Sequence, residues 1–91
     1  MTTEEFEKLV LFWSLKGQIS HGVDMGTKGL GDARHQVKRI IVDSKDFEAI
    51  ITYTVYTDDR IIIDYADIVD NYSGVSKFYG ASSGLPVLEK M

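Results

Sequence analysis

The stretch from Phe47 to Thr57, FEAIITYTVYT, constrains this chain more than any other. Its odd positions, Phe47, Ala49, Ile51, Tyr53 and Val55, are all apolar. Between them lie Glu48, Ile50, Thr52, Thr54 and Tyr56, a mixed and more polar set. Alternation at period two marks a β-strand with one face in a core and the other wetter. β-branched and aromatic residues dominate it, as a pleated surface favours. It is the longest clean pattern in the sequence, which predicts a central strand.

The segments around it supply neighbours. In ARHQVKRIIVDS, Ile40 and Val42 fall on one parity and Val37 and Ile41 on the other. This predicts a strand over 35–43, buried on both faces near its end, with helix the competing reading for its first half. Ser44-Lys45-Asp46 is a polar turn, so 35–43 and 47–57 form an antiparallel hairpin. Asp58-Asp59 is the next turn, and RIIIDYA predicts a strand over 60–66 with Ile61, Ile63 and Tyr65 on one face. Asp67 to Tyr72 reads as one helical turn capped by Asp67, because Ile68 and Tyr72 are four apart. Val75 to Tyr79 is a candidate fourth strand. Residues 80–91 read as a turn-rich, flexible tail, in which Pro86 cannot continue a ladder interior.

At the other end, Thr2 and Thr3 precede EEFEKLVLFWSLKG. A Thr cap followed by early acids starts a helix, since the hydroxyl satisfies a free amide and the carboxylates meet the positive dipole end. Gly17 is a plausible stop, so the expected helix runs over 3–16. Leu9, Leu11, Trp13 and Leu15 also alternate as a strand would, but the cap and the acids favour helix. At about 100° per residue, Phe6, Leu9, Val10 and Trp13 share one stripe, while Leu11, Phe12 and Leu15 point away from it. A second apolar side on the helix predicts a partner surface, and a second copy of the chain is the first candidate. Together these elements predict a single small α+β domain over 1–91: an N-terminal helix packed on a three- to four-stranded antiparallel β-meander. Phe6, Leu9, Trp13, Phe47, Ile51, Tyr53, Val55, Ile61 and Ile63 form its expected core.

Ninety-one residues are the size of one domain. A domain this small buries only roughly 60–65% of its unfolded surface, so an oligomer would enlarge a limited core. The absence of cysteine excludes disulfides, Cys-ligated zinc and Cys nucleophiles. With acids rather than a basic, apolar leader at the start, and no apolar run near a membrane-spanning length, the sequence reads as a soluble, cytoplasmic protein with no membrane association. Charge is unevenly spread. Residues 16–45 hold six Lys or Arg against three Asp, and residues 46–91 hold eight acids against Arg60, Lys77 and Lys90. A net charge of −4 argues against nonspecific nucleic-acid binding.

Residues 17–34 form a Gly-rich loop in this reading, with a short strand near Ile19. Gly26, Gly29 and Gly31 surround Lys28, with Arg34 and Arg39 close behind. Glycines let backbone amides approach an anion and the cations neutralise it. The pattern is neither a Walker A loop nor a dinucleotide fingerprint. The plainer reading is a loop beside a strand whose cations face water. His21 and His35, with Asp24 and Asp32, match no metal-ligand spacing. Asp58, Asp59, Asp64, Asp67 and Asp70 lack the glycine and closing Glu of a calcium loop and are read as turn and strand-surface acids. No Ser lies in a nucleophile elbow. Tyr56 falls on the wetter strand face, where it can fill an interface pocket.

No stretch carries a family motif in its required context. Three functions are therefore weighed. The first is a small non-enzymatic binding or regulatory protein acting through protein contact as a homo-oligomer, with Leu11, Phe12, Leu15 and Tyr56 as interface residues. Intracellular inhibitors and phage-type (viral) accessory proteins share its size and composition. The second is a binder of a nucleotide or other anionic small molecule, using Gly26, Lys28, Gly29, Gly31, Arg34 and Arg39. An enzyme ranks last, and the sequence points to no cofactor and no metal.

Overall fold

The computed structural model describes residues 1–21, 26–28 and 35–80, with the backbone alone described at 27 and 28. Helix α1 spans Thr3–Ser14 and is followed by strands β1 (Gln18–His21), β2 (Thr27–Lys28), β3 (His35–Asp43), β4 (Phe47–Val55), β5 (Ile61–Asp70) and β6 (Ser76–Gly80). The strands form one antiparallel sheet in the order β1-β3-β4-β5-β6. The two residues of β2 also pair with β3, beyond the end of β1. The fold is α+β, as the sequence predicts, but with five strands in line rather than three or four. The fifth is β1, the short strand expected near Ile19, which joins the meander through β3. Its four residues are too few to show a period, and its ladder to Ile40–Asp43 of β3 is a long-range pairing.

α1 begins in a reciprocal capping box. The Glu5 amide donates to Thr2 Oγ1 at 3.1 Å, and the Thr2 amide donates to the Glu5 carboxylate at 3.2 Å. Two otherwise unpaired helix-start amides are thereby satisfied. The hydrogen bonds from Thr2, its backbone first, hold the Glu5 carboxyl below its ordinary value. The start of the helix is also tied to the sheet, because the Met1 ammonium donates to the Ile61 carbonyl and the Ile61 amide donates back to Met1, both at 2.8 Å. Past the helix, Gly17 is required by space. A Cβ there would lie 2.3 Å from the Asp43 carbonyl oxygen.

The core lies between α1 and one face of the sheet. Trp13 is fully buried and meets Phe6 edge-on, with centroids 6.1 Å apart, and Phe6 in turn packs on Tyr53 at 4.6 Å. Ile40, Val42, Ala49, Ile51, Ile61, Ile63 and Ala66 complete the buried cluster. Of the expected core, Leu9, Phe47 and Val55 are only partly buried at its margin.

Two expectations about the second half of the chain are overturned. β5 runs to Asp70, so Asp67 to Tyr72 is not a helical turn; its partners on β4 and β6 outweigh a four-residue spacing. Tyr65 does not share a face with Ile61 and Ile63. The β4–β5 register shifts between Thr52 and Tyr53, so that Thr52 faces Tyr65 while Tyr53 faces Ile63. Asp64 is the extra residue of this bulge, and it flips the parity of everything after it. Ala66 and Ile68, not Tyr65, therefore continue the core side. The candidate fourth strand exists as β6, one residue later than expected. At the far end, the Asn71 side-chain amide donates to the carbonyls of Ser44 (2.9 Å) and Lys45 (3.2 Å), and the Tyr72 hydroxyl donates to Asp46 at 2.7 Å. These bonds join the β3–β4 and β5–β6 turns.

Candidate functional site

α1 covers one face of the sheet. Among the described residues no element packs on the other face, and that second face is the candidate site. The register defines it. Arg39 of β3, Thr52 of β4 and Tyr65 of β5 lie side by side in one row, and Ile41, Ile50, Asp67 and Phe78 form the next. An antiparallel sheet with one solvated face normally alternates apolar-in and polar-out. Here Val37, Ile41, Ile50 and Val69 are partly buried on the outward side, and Ile62 and Phe78 are exposed at 37% and 66%. Phe78 rests against Tyr65 with ring centroids 5.3 Å apart.

Polar groups are embedded in this apolar surface. Thr54 is fully buried and its hydroxyl donates a short hydrogen bond to the Asp64 carboxylate, which uses the bulge residue to satisfy a buried group. Thr52 is 2% exposed and its hydroxyl has no hydrogen-bond partner. The same holds for Arg39 Nε and His35 Nδ1, both buried and unpaired. All three unsatisfied groups belong to the second face. The His35 and Tyr56 ring centroids are 4.2 Å apart, and the Arg60 guanidinium carbon lies 5.1 Å from the Tyr56 centroid. Tyr56 thus sits between two basic side chains at one end of the face. Arg60 is also paired to Asp58 at 2.8 Å across an exposed turn, a pair worth little to stability in water.

The sequence-predicted interface residues divide. Leu11 and Leu15 are 67% and 83% exposed on the outer side of α1, one turn apart. Phe12 does not join them: it packs partly against the core, with the Lys16 ammonium 5.2 Å from its ring centre. Tyr56 lies on the second face, away from the helix. The predicted anion loop divides too. Gly26 has φ +98° and its carbonyl accepts from the Val37 amide at 2.9 Å, so it continues the sheet edge. Lys28 belongs to β2 by its backbone. Arg39 is on the second face. Gly29, Gly31 and Arg34 lie outside the described residues, as does the expected tail after Gly80. His21 is exposed on β1 and its imagined partners Asp24 and Asp32 are outside the described residues; among the described ones no group of three or more His, Asp or Glu could hold a metal. Also among them, no helix is long and apolar enough to cross a membrane.

Sequence reasoning missed Thr52, Tyr65 and Phe78 as site residues. The signal for Thr52 was its place on the polar parity of β4, directly across from Arg39. Tyr65 and Phe78 were hidden by the bulge, which no periodicity reveals. Comparison with protein-family models, with curated proteins and with solved structures found no match to this chain.

Proposed function

We propose that this chain is a non-enzymatic binding protein of the inhibitor or accessory kind, which acts inside the cell through protein–protein contact and works as a homo-oligomer. One observation carries this reading: apolar side chains face outward on both layers of a two-layer domain, Leu11 and Leu15 on the helix and Ile62 and Phe78 on the sheet. Large contiguous apolar surface on a small domain marks an interaction site. The two layers differ in extent. The helix offers two leucines, whereas the sheet offers a face spanning several strands. We assign self-association to the sheet and contact with a different protein to the helix side.

Native mass spectrometry on the gently purified protein tests the reading. A dimer or larger species is expected at micromolar concentration; a monomer at every concentration contradicts the homo-oligomer. Leu11→Ser combined with Leu15→Ser should leave that species intact and release any second polypeptide carried with it.

A second reading, an anionic small-molecule binder, has one observation in its favour. Arg39 places a buried, unpaired Nε beside the unpaired Thr52 hydroxyl. A ligand carrying a phosphate or carboxylate would meet that guanidinium. In this reading the site lies on the sheet rather than in the Gly-rich segment.

A further inference from the structure

We infer that the outer edge of β6 pairs with β6 of a second copy, antiparallel and centred on Phe78, so that two sheets join into one. The inference goes beyond the homo-oligomer reading on which it rests: it adds a contact at the edge of the sheet rather than on its face.

β6 (Ser76–Gly80) ends the strand order, and among the described residues no strand lies beyond it. An antiparallel ladder alternates pairs that exchange backbone hydrogen bonds with pairs that do not. The Asp70 amide donates to the Val75 carbonyl at 2.9 Å, which sets the phase against β5. From there every second pair, Ile68 with Lys77 and Ala66 with Tyr79, is the hydrogen-bonded kind. The amides and carbonyls of Ser76, Phe78 and Gly80 therefore point away from β5. Such a row is a template for another strand. Its surroundings are apolar as well. Tyr72, Val75 and Phe78, all on the β5–β6 hairpin, are exposed at 75%, 56% and 66%. β1, the strand at the other edge, has four residues and no exposed large apolar side chain.

Register selects a second copy as the occupant. In a two-fold pair the same segment meets itself. Centred on Phe78, the pair sets Phe78 opposite Phe78 of the second copy, Ser76 opposite its Gly80, and Lys77 opposite its Tyr79. Every outward amide and carbonyl of Ser76, Phe78 and Gly80 then meets an outward partner. Centred on Lys77, the pair leaves Gly80 without a partner within β6 and sets two ammonium groups directly opposite each other, which destabilises it. Centred on Tyr79, it leaves Ser76 without one. Lys77 is the kind of edge charge that deters indiscriminate pairing. The Phe78 register places it opposite an aromatic ring instead, where a cation is favourable. Phe78 also rests on Tyr65 of its own chain, with centroids 5.3 Å apart. The join thus continues an aromatic row from Tyr65 and Phe78 of one copy to Phe78 and Tyr65 of the other.

The test reads backbone amide exchange in the full chain by NMR, from low to high protein concentration. In the monomer the Lys77 and Tyr79 amides are expected to be protected, and those of Ser76, Phe78 and Gly80 to exchange freely. On association the latter three should become protected together. Ser76→Pro removes an outward amide and none of the bonds to β5, a change that an edge strand tolerates, and should weaken association roughly tenfold or more. Phe78→Lys and Phe78→Glu should each weaken it to a similar degree, because a residue on the axis meets itself. Mixed in equal amounts, these two variants should form a heterodimer, since the introduced charges then attract. Circular dichroism melting checks that each variant is folded. Association that leaves the three amides as exposed as in the monomer overturns the edge pairing and leaves the homo-oligomer reading standing. So do mixed Phe78 variants that associate no better than either alone. Protection that arises only when a different polypeptide is present overturns the second copy as the occupant. A chain that is monomeric at every concentration overturns both readings.

Discussion

The two faces of the sheet are built from the same strands and differ in what they finish. On the face under α1, Trp13, Ile40, Val42, Ala49 and Ile51 are fully buried, and the one polar side-chain atom among them, the Trp13 indole nitrogen, is not left orphaned. On the opposite face the apolar side chains are only partly buried, and Arg39, His35 and Thr52 each keep a buried polar atom without a partner. The first face is a completed interior. The second has the composition of an interior boundary but carries no second layer among the described residues. The difference teaches that apolar content alone does not identify a core; satisfied polar groups do.

Breaking the completed face should have the largest effect. Trp13→Ala removes the most voluminous fully buried side chain and should cost ~3–5 kcal/mol, seen as a large fall in the urea midpoint. Gly17→Ala comes next. Its methyl would collide with the backbone of Asp43 and Ser44, and the forced shift should cost ~1–3 kcal/mol. On the second face the pattern inverts. Ile50→Thr keeps strand propensity and, from a partly buried position, should lower monomer stability by only about 1 kcal/mol, yet weaken association at least tenfold. If Ile50→Thr costs as much folding stability as a core substitution, the two faces are not different in kind.

Smaller effects sharpen how the layers are held. Thr2→Ala removes the cap of the helix that makes the first face, and should cost ~1 kcal/mol by thermal melting. The Glu5 half of the same box has a pH signature. Its carboxyl is held below its ordinary value, so its contribution is present above the usual Glu range and is lost as pH falls through the folded-state value. The stability gap between wild type and Glu5→Gln should therefore shrink on the acid side. Tyr72 behaves oppositely. Its hydrogen bond to Asp46 holds the phenol above its ordinary value, so that contribution is present at neutral pH and is lost as pH rises through the raised value. The gap between wild type and Tyr72→Phe should close in alkali.

Much of this was legible in the residues. Alternation in 47–57 gave the central strand and its inward side, and the Thr cap with Glu5 three residues on gave the helix start. Both signals are local. What the sequence hid depends on partners far along the chain. The short strand near Ile19 is legible as such, but not its pairing with β3 at the edge of the sheet. The bulge at Asp64 changes which side Tyr65 occupies, and no spacing announces it, because Ile61-Ile62-Ile63 before it is apolar on both parities. Arg39 was grouped with Lys28 and Arg34 as part of an anion site. Its neighbours in the sheet are Thr52 and, one strand further, Tyr65, which only strand register brings into its row.

The most direct measurement of the central claim is methyl NMR with a soluble paramagnetic agent, repeated from low to high protein concentration. The account predicts that the Ile41, Ile50 and Ile62 methyls are broadened in dilute solution and become protected together as concentration rises, while Leu11 and Leu15 stay accessible throughout. Equal broadening of the three isoleucines at every concentration, or protection that develops at Leu11 and Leu15 instead, would contradict it.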